Sequence, residues 1–217
     1  MNSGRGSIQA VFWDMDGTLI DTEYLHYEVI RDWCARHGYV LTEAANEELL
    51  GKSMPEKWNL LRDRLAPTAG EQAFQRECGR DYIDRLRPEM MRPETVAVVR
   101  ALAQKGVLQA CVSNGDPEVI DANLRMIGIE SLMAFTVSGR DVAYGKPAPD
   151  PYLEAALRAG LEPGQCLAVE DSPVGLSAAL AAGCHTCAWP GESVEGLPEV
   201  HCFIREAGEF PWHLIAG

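Results

Sequence analysis

The sequence predicts an α/β protein, in which a parallel sheet is covered on both faces by helices and a small all-helical domain is inserted after the first strand. Three observations predict it. From Glu94 onward, short apolar runs alternate with helical ones, the pattern of strand–helix–strand units. Between Leu19 and Arg92 the chain holds no convincing strand pattern. The first strand ends in two aspartates and a glycine, Val11-Phe12-Trp13-Asp14-Met15-Asp16-Gly17-Thr18-Leu19.

Ile8 to Trp13 is too short and too rich in β-formers for a helix. Gly17 lets the chain turn sharply straight after it. The inserted domain, residues 21–91, opens with a helix from Tyr24 to His37. Leu25, Val29 and Trp33 recur there at helical spacing, and Gly38 ends it. Thr42 starts a second helix, although Ala45 stands where a capping box wants an acid or amide. Pro55 suits the first turn of a third helix running to Leu65, and a fourth runs from Gly70 to Leu86. Arg87-Pro88 and Arg92-Pro93 punctuate the exit.

Residues 1–20 and 92–217 then make the core domain. Its helices are expected over Thr95–Lys105, Pro117–Met126, Pro151–Ala159 and Val174–Ala182. Its strands are expected over Leu108–Val112, Phe135–Val137, Cys166–Val169 and His185–Trp189, with a weaker sixth over Cys202–Ile204. Right-handed crossovers between such strands give a parallel sheet.

The net charge of −13 over 217 residues argues against nucleic acid as a partner. A local pocket can still oppose that charge and take a small phosphorylated metabolite. Met1 to Ser7 is polar and lacks an apolar signal core, and no later run is long enough to span a bilayer. A soluble, cytoplasmic monomer is expected. The seven cysteines, Cys34, Cys78, Cys111, Cys166, Cys184, Cys187 and Cys202, are an odd, scattered set that reads as buried reduced thiols. Cys184-His185-Thr186-Cys187 spells C-x-x-C, but strand alternation sends its cysteines to opposite faces, and no second pair completes a zinc site.

Polar groups recur where strands end. Asp14 and Asp16 follow the first strand, and Ser113, Asn114 and Gly115 the second. Lys146 lies in a proline-stiffened loop, and Glu170 and Asp171 close the strand that begins at Cys166. A parallel sheet gathers all of these at one rim. Two carboxylates as close as Asp14 and Asp16 repel unless a cation or a proton intervenes. Either Mg²⁺ sits between them or one acid stays protonated.

This ordered set, Asp14-Met15-Asp16-Gly17-Thr18, Ser113, Lys146 and Glu170-Asp171, resembles the haloacid dehalogenase superfamily over essentially the whole chain. Gly145-Lys146-Pro147 and the helix Gly175-Leu176-Ser177-Ala178-Ala179 resemble the branch that holds β-phosphoglucomutase and the sugar-phosphate phosphatases. The resemblance implies a Rossmann-like, doubly wound parallel core with an α-helical cap. It implies Asp14 as nucleophile, forming an aspartyl-phosphate, and Asp16 as the acid and base. It implies Mg²⁺ held by Asp14, the Asp16 carbonyl and Asp171, with Glu170 close by. Ser113, Asn114 and Gly115 would bind phosphoryl oxygens, Lys146 would pair with Asp14 and the phosphate, and Thr18 would help to hold Asp16. The second aspartate, Asp16, argues against carbon–halogen cleavage, which this superfamily performs without it.

Three further residues are candidates for substrate contact. His26 has the spacing of a hinge histidine that positions the acid, or is a polar residue on the first cap helix. Lys52 lies on a cap loop that would face the site, or is solvated. Arg76 falls where a mutase has a substrate-touching cap lysine, or is an exposed helical arginine. Where a β-phosphoglucomutase has basic residues around the cap glycine, this chain has Leu50 and Met54, and after the second motif it has Gly115-Asp116. These departures favour a Mg²⁺-dependent phosphatase over a phosphomutase. A phosphonatase with Lys52 as a Schiff base and a non-enzymatic binding protein are the remaining readings.

Overall fold

A computed structural model describes residues 8–66, 68, 70–189 and 196–215. Among them, strands β1 (Ala10–Trp13), β2 (Leu108–Val112), β3 (Phe135–Val137), β4 (Cys166–Glu170), β5 (His185–Ala188) and β6 (Cys202–Phe203) form one parallel sheet in the order β3-β2-β1-β4-β5-β6. The strand order reverses between β1 and β4. That is the switch point, where an open α/β sheet leaves a crevice at its carboxyl rim.

Alternation along β1 builds two cores. Val11 and Trp13 face Val96, Val99 and Leu102 of α5 (Pro93–Gln104) and Ile120 and Leu124 of α6 (Pro117–Met126). Ala10 and Phe12 face Tyr152 and Ala155 of α7 (Asp150–Ala159) and Ala178 and Ala179 of α8 (Pro173–Ala182). Small residues on α8 let it lie close to the sheet.

The inserted stretch carries α1 (Glu23–Arg36), α2 (Glu43–Asn46), α3 (Met54–Leu61) and α4 (Glu71–Arg85). These helices pack around their own apolar cluster, with Leu25, Val29, Trp33, Leu61 and Phe74 buried in it and Trp58 against it. Two chain crossings join this lobe to the sheet and run side by side. Asp21 N–H donates to Met90 O at 2.7 Å, and Arg92 N–H to Leu19 O at 3.1 Å. The Arg92 guanidinium donates to Gly17 O beside them.

Two local expectations change, the end of α3 and the state of two cysteines, while Thr42 opens its helix as expected. Thr42 caps α2 without a reciprocal acid, its hydroxyl accepting from Ala45 N at 3.2 Å. Glu56 accepts from the Ser53 N–H at 2.8 Å and its hydroxyl at 2.6 Å, fixing the start of α3. α3 stops at Leu61 and continues as a 3₁₀ turn, Arg62–Arg64, not as a helix to Leu65. Among the cysteines, Cys34, Cys78, Cys111, Cys166 and Cys184 are buried thiols. Cys187 and Cys202 instead form a disulfide, which corrects the expectation of thiols throughout. The two are register partners on β5 and β6, with Cα atoms 4.6 Å apart, within bridging range. Cys184 and Cys187 do lie in opposite cores.

Gln109 is a polar side chain inside the first core. Its carboxamide accepts from the Trp13 indole at 3.0 Å and donates to Val99 O at 3.0 Å. Gln109→Leu strands the buried indole N–H. It is expected to lower unfolding free energy by about 1–3 kcal/mol in urea titrations.

Candidate active site

The switch point is where the motif residues meet. Asp14 continues β1 by one residue, its N–H donating to Val169 O at 3.0 Å. Glu170 ends β4, and Asp171 follows it. Gly17 turns the chain back with φ +86°. A Cβ at Gly17 would overlap the Asp171 carboxylate, so only glycine fits both the turn and the neighbour.

Lys146 reaches into this cluster from the loop before α7. Its buried ammonium donates to Asp14 Oδ1 at 2.6 Å, Glu170 Oε1 at 2.6 Å and Val112 O at 2.7 Å. All three protons are used. Asn114 sets the loop's place: its carboxamide accepts from Lys146 N at 2.8 Å and donates to Lys146 O at 3.1 Å. The Asn114 side chain is therefore engaged, and its backbone N–H is what it can offer a phosphoryl oxygen. Ser113 Oγ accepts from Gly115 N at 3.0 Å, which leaves the hydroxyl proton for a ligand.

Glu170 is fully enclosed. Tyr152 donates to the same Oε1 at 2.5 Å, and a Cβ on Gly175 of α8 would overlap the carboxylate. Asp14, Glu170 and Asp171 each bring an oxygen within 4.8 Å of the others. Burial, then the Glu170 charge, raises the Asp14 pKa well above the carboxylate range, with Lys146 pulling the other way. The same two causes push Asp171 to about 7. Three carboxylates, two of them bonded to one buried ammonium, form an oxygen-rich cluster suited to a hard divalent cation.

Asp16 faces the helical lobe. Its Oδ1 accepts from Thr22 at 2.5 Å, lies 3.2 Å from His26 Nε2 and 3.5 Å from the Tyr82 hydroxyl. Burial alone would raise its pKa, but the His26 imidazole and the Thr22 hydroxyl more than offset this and hold it at about 2. Thr18, expected beside Asp16, instead donates to Asp171 Oδ1 at 3.3 Å. Its short side chain points to the β4 end, and Thr22, one helical entry later, takes the Asp16 contact.

Asp14, Asp16, Ser113, Asn114, Gly115, Lys146 and Asp171 line one cavity of about 210 Å³, together with His26 and Lys52 from the lobe. Arg76 does not line it. That side chain is exposed, lies 3.9 Å from Glu77, and borders a second cleft with Arg80 and Arg140. That cleft shares Gln75, Gly79, Asp116 and Val119 with the cavity. Sequence reasoning missed Thr22, Tyr82, Tyr152 and Lys57. The first three have no local signal, because packing alone brings them to Asp16 and Glu170. Lys57, which lines the cavity, does have one, since it interrupts the apolar stripe of its helix.

Comparison with known proteins agrees with this geometry. The family model for haloacid dehalogenase-like hydrolases matches residues 8–183. Hexitol phosphatase A of Escherichia coli is 32% identical over 182 residues, 81% of this chain and 80% of that protein. A phosphorylated carbohydrates phosphatase of Thermotoga maritima is 29% identical, over 81% of this chain and 82% of its own. The crystal structure of CbbY from Rhodobacter sphaeroides in complex with phosphate covers 94% of this chain and 96% of its own, with a TM-score of 0.84. At 22% identity, that is a likeness of fold. On its motifs, its sheet and the family match, the chain belongs to the haloacid dehalogenase-like hydrolases.

Proposed function

We propose that this hydrolase is a Mg²⁺-dependent phosphatase of small organic phosphomonoesters, sugar phosphates among them. The reading is carried by one observation. Asp14 stands at the switch point, bonded to a buried lysine, with an oxygen within 4.8 Å of one from Asp171 in the wall of the cavity. Relatives whose names describe phosphatases of hexitols and carbohydrates support it.

In this reading an Asp14 oxygen attacks phosphorus while the bond to the leaving oxygen breaks, giving an aspartyl-phosphate. The Ser113 hydroxyl and the Asn114 backbone N–H hold the phosphoryl oxygens in line, while Lys146 fixes the Asp14 carboxylate that attacks. Asp16 protonates the leaving oxygen. It then takes a proton from the water that attacks the intermediate, and Asp14 is regenerated. The Thr22 and His26 contacts hold Asp16 as a carboxylate, the form that activates water. Loosening them raises its pKa and suits the proton-donating step. Asp14, Asp171 and the Asp16 carbonyl would hold Mg²⁺, with Glu170 anchoring Lys146 behind them. When bound, the ion supplies charge neutralisation between the nucleophile and the anionic ester. Residues 21–91 act as the cap that closes the cavity and excludes water.

Phosphate release from a panel of sugar and polyol phosphates tests the activity. Asp14→Asn is expected to cut kcat by at least about a thousandfold, because the amide cannot attack phosphorus. Full activity of that variant would remove the nucleophile assignment. Interconversion of hexose 1- and 6-phosphates without phosphate release would identify a phosphomutase instead.

Asp171 gives a pH test. Its folded pKa of about 7 lies above the ordinary aspartate value of 3.8, so the folded protein binds the extra proton and loses stability as pH rises through that window. A divalent cation competes with that proton. Mg²⁺ is therefore expected to raise the melting temperature more at pH 8 than at pH 5.5, and Asp171→Asn to abolish the difference.

A further inference from the structure

Lys146, on the loop before α7, and Tyr152, in the first turn of that helix, end on the same carboxylate oxygen. Glu170 Oε1 accepts from the Lys146 ammonium at 2.6 Å and from the Tyr152 hydroxyl at 2.5 Å. The ammonium also lies 5.2 Å from the centre of the Tyr152 ring, within reach of its π face. Lys146 donates onward to Asp14 Oδ1. A chain of hydrogen bonds therefore runs from α7 through Glu170 and Lys146 to Asp14.

Packing does not require the hydroxyl. Tyr152 is fully buried, and its neighbours in the second core include Ala10, Phe12, Val112 and Ala155. A phenylalanine would fill the same space. A buried hydroxyl costs free energy unless it is bonded, and Glu170 is the acceptor it finds among the described residues. The other oxygen of Glu170 has only a long contact, 3.5 Å from Ser172 Oγ. Tyr152 is thus the second close donor to a carboxylate that must hold a lysine in place. Asp14, Ser113 and Lys146 line the cavity, whereas Tyr152 and Glu170 stand behind its wall.

We propose that Tyr152 is a positioning residue of the reaction. Its hydroxyl fixes Glu170, and Glu170 fixes the Lys146 ammonium against the Asp14 oxygen. A helix on the flank of the sheet thereby sets the aim of the nucleophile without touching substrate. The kinetic side of this proposal rests on the phosphatase reading above, while the placement of Lys146 does not. Partners that orient a reactive centre from behind contribute about ten- to a hundredfold in activity, and small displacements of a reacting group are costly on the same scale.

Tyr152→Phe removes the hydroxyl and keeps the ring. On the ester that the native enzyme hydrolyses fastest in the sugar and polyol panel, it is expected to lower kcat by about ten- to a hundredfold and to leave KM within about threefold. The second readout is independent of activity. The Lys146 ammonium, buried with three acceptors, is expected to give a ¹⁵N resonance protected from exchange with water, assigned by its absence in Lys146→Arg. In Tyr152→Phe that resonance should shift and lose its protection, while a melting transition above the assay temperature shows that the variant is folded. Native kcat in Tyr152→Phe, a raised KM at constant kcat, a Lys146 resonance unchanged in the variant, or an unprotected one in the native protein would overturn the proposal. If no ester of the panel is hydrolysed, the phosphatase reading falls, and the Lys146 resonance still decides whether Tyr152 holds the lysine.

Discussion

One buried ammonium holds the rim of the sheet together. Lys146 ties Asp14, at the end of β1, to Glu170, at the end of β4, and to the last carbonyl of β2. Three adjacent strands thus share a single cation. Breaking a buried pair on one side leaves an uncompensated charge, which costs far more than the pair itself contributes. Glu170 cannot relax away, because Tyr152 caps it and α8 lies flush against it at Gly175. Asn114 holds the lysine by its own backbone. The arrangement is also charge-deficient, with three carboxylates around one ammonium. That imbalance suits the cluster to a hard cation.

The helical lobe answers a different constraint. Its own apolar cluster gives it a core independent of the sheet, while its entry and exit strands stay adjacent. The lobe still reaches the switch point through His26 and Tyr82, which meet Asp16. Its cavity-facing side is where Leu50, Met54, Lys52 and Lys57 have settled.

Much of this was legible in the sequence because its causes are local. Strand alternation and glycine stops depend on neighbouring residues, so all six strands and the rim motif could be read from spacing. The Asp14-to-Thr18 turn announces itself by composition. The misreadings have non-local causes. Thr18 and Thr22 are chemically alike, and only the path after Gly17 decides which of them meets Asp16. Tyr82 and Tyr152 arrive from distant helices. The Cys187–Cys202 link depends on the register of an edge strand two residues long. Lys57 had a legible signal, a lysine at i+3 in the stripe Met54, Trp58 and Leu61, which draws notice only when the helix is read by face.

The partners of Asp16 have a consequence beyond holding it still. Thr22, His26 and Tyr82 all belong to the lobe or its threshold, whereas Asp16 belongs to the sheet's first loop. The acidity of a core carboxylate is thereby written in the coordinates of a neighbouring body. Burial pushes that carboxyl up, and the lobe's imidazole and hydroxyl bring it down, so groups outside the sheet set its acidity with no bond made within the sheet.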